Sequence, residues 1–414
     1  MKNKSIICSI GFLSIAISPQ PFICLATILG IILSLRFLEF DKFLKSCLVI
    51  SFLMILIILA SARINNTPVG YEEQKRLIGA SAVVFNLIFF RKYLSKWKYG
   101  EHGHILAFLV LCFAFLFSTF VWYKIKIVES GSEYSWLKFY GACPLAILAS
   151  QLSTTQFFRR LNISILKLGA LTGAILFIAE AKSAAFLVVF GTFAIHKLGG
   201  RREDSNRRSE FGMKSQLKAL RLFPFTFIAF VLLSVFWYLG DHGLLGAKAQ
   251  TNISQYGSNI FGALSNARPE LKISLSALRA MPWYGFGTPA NALGHGFGYL
   301  TNSNEISAVN MQLINMRTLG TGLNVHSWFF EMVLRGGIVV ALLFIPIFIV
   351  LLRVLMHPEL FVNYPGLYIA SLFTAFDLFF SPITWFSPIQ FSLFLIAIEI
   401  GKSESEKRSR IDIP

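Results

Sequence analysis

Leu323–Phe344 reads "LNVHSWFFEMVLRGGIVVALLF". A single histidine, His326, opens the stretch, and an apolar run of membrane length follows. Ser327, Glu331 and Arg335 fall at four-residue steps and therefore share one helix face. A titratable imidazole at the mouth of such a helix has two readings. It is an interfacial side chain that caps or snorkels, or it is a base held where lipid meets water. Glu331 and Arg335, at i and i+4, are expected to anchor the helix at that interface without engaging the histidine.

The rest of the chain is built of similar material. Of 414 residues, 55% are hydrophobic and 14% are charged, whereas soluble domains carry about 25% charged residues. Phenylalanine alone occurs 42 times, as suits lipid-facing surface. This composition predicts an all-α polytopic membrane protein. Apolar runs place about twelve transmembrane helices at 5–18, 21–36, 44–62, 78–90, 104–123, 140–155, 161–179, 183–197, 222–240, 329–352, 365–380 and 386–400. Pro19 and Pro21 separate the first two. The split at Glu180–Ser183 is open, because 161–197 also reads as one interrupted apolar block. The first run follows Lys2 and Lys4 but leads straight into the second, so it reads as a span rather than a cleavable signal.

With both ends inside, 25 of the 38 Lys and Arg residues fall in the segments this topology gives to the cytoplasm. That asymmetry is the positive-inside signature. The net charge of +17 is accordingly not read as a nucleic-acid surface, and no nucleic-acid partner is expected. The cluster "RREDSNRRSEFGMKSQLKALR" is a topology anchor facing anionic membrane lipid. The expected organisation is 1–240 with nine helices and a basic cytoplasmic loop at 198–221, a periplasmic loop at 241–328, three helices over 329–400, and a cytoplasmic tail at 401–414. The five cysteines lie in or beside apolar runs and are read as small buried hydrophobes, not as a disulfide framework.

The long polar loop is where function is expected. Within it, "SNARPELKISLSALRAMP" reads as an amphipathic helix, capped by Ser265 or Asn266 and ended by Pro282. Leu271, Leu275 and Leu278 form its apolar stripe, and Arg268, Lys272 and Arg279 lie close to one face. Such a face suits a phosphate at headgroup depth, and it equally suits a helix that only rests on anionic lipid. "WYGFGTPANALGHGFGYL" follows. With no strand ahead of it, its glycines read as tight turns and not as a dinucleotide fold. "EAKSAAF" sets Glu180 and Lys182 between two apolar runs, where a charge faces a cavity or a partner, or the two form a loop pair. Near 62–77, Arg63, Glu72, Glu73, Lys75 and Arg76 read as a solvated cluster more readily than as a metal site. His102 and His104 have metal-like spacing without further ligands. Asp377 is either a helix-packing group or a second carboxylate behind a site. There is no repeat of the kind on which inverted-repeat transporters are built.

Three stretches carry a family resemblance. "LNVHSWFFEMVLRGGIVVALLF" pairs a His and a small polar residue with an apolar helix reaching a Gly pair. "AMPWYGFGTPANAL" contains a P-x-x-G-x-G turn, and "AEAKSAAFLVVF" is a short basic-Ser segment opening a span. Together with about twelve spans and one large loop before the histidine, they resemble the O-antigen ligase and O-antigen polymerase superfamily. The resemblance implies a GT-C-like fold and a metal-independent glycosyltransferase without cofactors, in the bacterial inner membrane with its active site facing the periplasm. The donor would be a glycan linked to undecaprenyl pyrophosphate, and the acceptor a sugar hydroxyl of the lipid A core. By the same resemblance Lys182 and Arg268 bind the pyrophosphate and His326 activates the acceptor. Arg279 and Arg63 are further candidates for the pyrophosphate. Lys182 departs from the family's usual Arg and offers a point charge without the bidentate fork.

The residue chemistry agrees. A polyprenyl pyrophosphate leaves readily once fixed cations meet its growing charge, and histidine is the side chain poised as a base near neutral pH. Polymerases often carry Arg-x10-Gly in their outer loops. Here Arg268 is followed eleven positions on by Arg279, Arg279 by Ala290 and Arg317 by Trp328, which favours ligase over polymerase. A lipid-linked glycan flippase is the non-enzyme alternative, and it would want charges lining several spans. The topology predicts that a reporter fused near Gly257 behaves as periplasmic and one near Ser209 as cytoplasmic. The reverse at either point would put His326 in the wrong compartment.

Overall fold

The computed structural model describes residues 42–66, 141–179, 181–199, 278–287 and 327–380, together with positions 238, 242, 390, 391, 393, 394, 397, 398, 400 and 401. Among the described residues there is helix and turn but no strand, as the all-α expectation requires. The helices are α1 (Lys42–Ile64), α2 (Ala142–Leu152), α3 (Gln156–Arg160), α4 (Ile165–Ile178), α5 (Lys182–Gly199), α6 (Trp328–Met356) and α7 (Pro365–Phe380), with a 3-10 turn at Pro358–Phe361. One of them, α6, is long and apolar enough to cross a membrane, while Phe52–Ile64, α2, α4, Ser183–Leu198 and α7 are shorter apolar helices. The expected spans at 5–18, 21–36, 78–90 and 104–123 lie outside the described residues. So does the span at 222–240, save for Tyr238.

The chain divides into two compact units. The first comprises Met1–Ile55, Gly70–Ser205 and Leu343–Pro414. Here the block at 161–197 resolves into two helices, α4 and α5. Ala181 N donates to Leu176 O at 2.8 Å, the six-residue bond of a Schellman ending, and this stops α4. The pair is antiparallel: Gly169 lies against Thr192, and Gly173 against Val189. The two glycines, four residues apart, let the helices approach closely, the small-xxx-small device of packed apolar helices. α7 packs against both α2 and α5.

Buried polar groups in this unit are paired. Hydroxyls of Ser150, Thr172, Thr192, Ser371 and Thr374 each donate to the carbonyl four residues back, which hides them inside an apolar helix. Gln151 is buried, and its Oε1 accepts from Gly366 N at 3.2 Å while its Nε2 donates to Asn363 O at 3.2 Å. A side chain from α2 thus serves the open N-terminus of α7, where Pro365 at the first position has no N–H to satisfy. Tyr368 OH donates to Leu355 O at 3.0 Å, closing one of the last carbonyls of α6. Asp377 Oδ2 accepts from Gln390 Nε2 at 2.8 Å, and the Cys143 thiol donates to Gln390 Oε1 at 3.3 Å. Asp377 is thus bonded to Gln390, and Cys143 is not in a disulfide.

The second unit comprises Leu56–Val69 and Asn206–Leu342. Its central feature departs from the single span expected over 329–352. Gly337 leaves helical space, with φ +66° and ψ −160°, so α6 is two helices end to end, 328–336 and 338–356. The exposure pattern changes at the break. Val333, Leu334 and Arg335 are buried, whereas Ile338, Leu342, Ile345, Ile349 and Leu352 are exposed. Those five follow steps of four and three and form one apolar face. The second helix alone, at about 1.5 Å per residue, is roughly 28 Å long, close to the thickness of a hydrocarbon core.

A break in mid-helix strands carbonyls on one side and N–H groups on the other. Residues 282–287 fill both. Phe286 N and Gly287 N donate to Leu334 O and Arg335 O at 2.8 and 2.9 Å. Ile338 N and Val339 N donate to Pro282 O and Trp283 O at 2.8 and 3.4 Å. This pairing needs backbone against backbone. Gly285 stands at φ +66°, and a Cβ there would lie 2.6 Å from both Gly337 N and Leu334 O. A Cβ on Gly337 would meet Tyr284 N at 2.6 Å. Gly285→Ala and Gly337→Ala should each destabilise the purified protein by at least about 1–3 kcal/mol, from backbone strain alone. Gly401→Ala, where the nearest atom would be 3.5 Å away, should leave the thermal midpoint unchanged. Equal midpoints for all three would contradict the sealed break.

Candidate functional site

The first half of α6 begins at Ser327. Its Oγ accepts from Phe330 N at 3.2 Å, and its carbonyl accepts from Glu331 N at 2.9 Å. This is an ordinary N-cap on the third helical residue. Ser327 therefore satisfies one amide of the first turn. His326 directly precedes the cap and lies outside the described residues, as does Arg268.

Ser327, Glu331 and Arg335 do share one face, and the face is inward. Ser327 is 0%, Glu331 6% and Arg335 2% exposed. Glu331 Oε1 meets an Arg335 terminal nitrogen at 2.9 Å. The expectation of an interfacial anchor is therefore corrected: the pair is buried in the protein. An ion pair taken out of water is tolerated because each charge compensates the other and geometry holds them together. Its position also matters. Arg335 supplies one of the two carbonyls that receive the inserted loop, so the charged face of the half-helix and its capped end are one structure.

Residues 278–287 carry the loop side. Leu278 and Met281 pack with Phe330 against buried Phe286 and Leu334. Helix persists over 278–280 and stops ahead of Pro282, where the proline signal places the end. The earlier part of that amphipathic helix lies outside the described residues. Arg279 is exposed, as its assignment to a basic face requires. The end of α1 reaches the same loop. Asn65 Nδ2 donates to Gly285 O at 3.0 Å, and Ala62 lies against Gly287. Arg63, exposed in the last turn of α1, sits between those two contact residues. A cation there complements the carbonyl end of the helix dipole.

Of the five residues expected to bind or react, the structure places Arg63 and Arg279 on two elements of one unit, joined by the Asn65–Gly285 bond. Lys182 is the first residue of α5, in the other unit, and its side chain lies outside the described residues. Glu72, Glu73, His102, His104 and Glu180 also fall outside them. Among the described residues no group of three or more His, Cys, Asp or Glu could hold a metal ion. Sequence reasoning did not find Asn65, or the exposed pair Trp283 and Tyr284. A Gly pair inside an apolar run, together with a P-x-x-G-x-G turn, was the available signal that two segments meet backbone to backbone.

No protein-family model matches the chain, and no curated protein matches it.

Removing one member of a buried ion pair leaves the other charge under-compensated, at a cost of about 3–5 kcal/mol, while replacing both with apolar residues is often near neutral. Glu331→Leu and Arg335→Leu should each lower the thermal midpoint sharply, and the double variant should recover much of the loss. A double variant as unstable as the sum of the singles would show that the two charges do not act on each other.

Proposed function

We propose that the protein is a multi-pass inner-membrane glycosyltransferase of the O-antigen ligase kind. It would transfer a glycan from undecaprenyl pyrophosphate to a sugar hydroxyl of the lipid A core at the periplasmic face. One observation carries this reading. The P-x-x-G-x-G turn and the helix that follows Ser327, with its Gly pair, are separate in sequence but form a single hydrogen-bonded unit that also holds Arg279 and Arg63. The exposed apolar face of 338–356 supports placing this unit against lipid.

In this mechanism His326 takes the proton of the acceptor hydroxyl as its oxygen attacks the anomeric carbon of the donor. The new glycosidic bond forms while the bond from that carbon to the pyrophosphate oxygen breaks. The electron pair leaves with undecaprenyl pyrophosphate. Its developing charge is met by Arg268 and Lys182, with Arg279 and Arg63 as further cations, and such fixed charge lowers the barrier because it needs no reorganisation during the step. No metal is assigned a part.

His326→Ala should insert and bind donor normally yet lose about 10²–10⁴-fold in transfer. The wild-type rate should fall as pH drops through the range where imidazoles titrate, because the base must be neutral to accept a proton. Arg268→Ala with Lys182→Ala should abolish donor use, and Lys182→Arg should be tolerated. Retention of more than about a tenth of turnover by His326→Ala would place the base elsewhere. Activity lost to a chelator and restored by a divalent ion would point instead to Glu72 and Glu73. In cells lacking the protein, a bare lipid A core with long polymer left on the carrier marks a ligase, and single-repeat lipopolysaccharide marks a polymerase. Purified protein that releases no undecaprenyl pyrophosphate from donor would favour a flippase.

A further inference from the structure

Trp283 and Tyr284 are 67% and 41% exposed. Large aromatic side chains are usually buried, and these two stand on a backbone with little freedom. Pro282 O and Trp283 O are bonded to the second half of α6, and Phe286 N and Gly287 N to the first half. Gly285 and Gly287 fix the turn at φ +66° and +73°. Asn65 holds Gly285 O from a third side. The rings are therefore presented by a rigid mount. Arg279 is exposed one turn ahead of Trp283, and Arg63 is exposed beside Ala62, which lies against Gly287.

We propose that Trp283, with Tyr284, is a stacking platform for the sugar ring next to the pyrophosphate of a lipid-linked glycan. The inference rests on the reading of this site as one for such a donor, and it adds residues that recognise the glycan rather than the phosphates. The chemistry matches in two parts. Guanidinium groups pair with phosphate oxygens. A sugar presents a face of C–H bonds, weakly positive, to which the negative face of an aromatic ring is complementary. A rigid mount favours the sugar over plain lipid anchoring. An interfacial anchor gains its energy from partitioning alone and works equally well on a flexible loop, whereas a stacking surface gains affinity from pre-organisation.

The test uses the full-length protein in nanodiscs and two probes. One is undecaprenyl pyrophosphate alone, and the other is the glycan-linked carrier extracted from the cells that make this protein. Wild type should bind the glycan-linked carrier more tightly than the bare one. Trp283→Ala should weaken the glycan-linked carrier by about tenfold, the scale of one aromatic stacking contact, and leave the bare carrier unchanged. Trp283→Phe should retain most of the preference, and Trp283→Leu should not. Because the side chain is mostly exposed, thermal midpoints should match wild type throughout. Equal weakening on both probes would make the ring a lipid anchor and overturn the platform. So would full affinity in Trp283→Leu, or a wild type that prefers neither probe. A wild type that shows the preference but releases no undecaprenyl pyrophosphate from its donor would overturn the transferase reading and leave the platform standing.

Discussion

The interrupted α6 stands or falls with six residues of loop backbone. A helix cut at Gly337 leaves acceptors at Leu334 and Arg335 and donors at Ile338 and Val339. Away from water, each such group costs several kcal/mol if left alone. Pro282 to Gly287 supplies both kinds of partner at once: its carbonyls lead and its N–H groups follow. A proline at the head of the segment loses nothing, because its missing N–H is not among those used. The arrangement therefore replaces one continuous helical ladder with two, and the loop is part of both.

From that constraint the surroundings follow. The segment must approach the helix within backbone contact, so positions 285 and 337 cannot carry side chains. The half-helix ahead of the break is enclosed, so its polar residues must find each other, and Glu331 and Arg335 do so one turn apart. At its open end the Ser327 hydroxyl accepts from Phe330 N. The end of α1 is drawn in through Asn65, and with it Arg63. Arg63, Arg279, Trp283 and Tyr284 are all exposed on the elements that this backbone pairing joins.

Helical character was legible in the sequence because composition and the length of apolar runs depend on local chemistry. The bounds of α5 and α7 fall close to the apolar runs at 183–197 and 365–380. The separation of α4 from α5 was ambiguous, since what stops α4 is a backbone bond from Ala181 to Leu176 and not a side-chain signal. The face shared by Ser327, Glu331 and Arg335 was also legible, because spacing alone fixes it. Its orientation was not. Whether a charged face meets water or the protein interior depends on what packs there, and spacing says nothing of that. The glycines of the P-x-x-G-x-G motif were visible as a turn, whereas Gly336 and Gly337 read as part of one continuous span. Their meaning as two halves of one contact is a long-range fact that neither segment contains. The bond from Gln390 to Asp377 is another contact that neither residue's surroundings in the sequence announce.

The order of the chain gives the sealed break a consequence for biogenesis. The loop is synthesised before the helix it completes. The charged half-helix and the apolar stretch beginning at Ile338 both follow it in the chain. Until loop and helix meet, the donors at Ile338 and Val339 and the acceptors at Leu334 and Arg335 lack the loop's partners. Both are completed when the waiting loop closes over them. Closure of that one short glycine-bearing turn is therefore the step that gives both halves of the helix their partners.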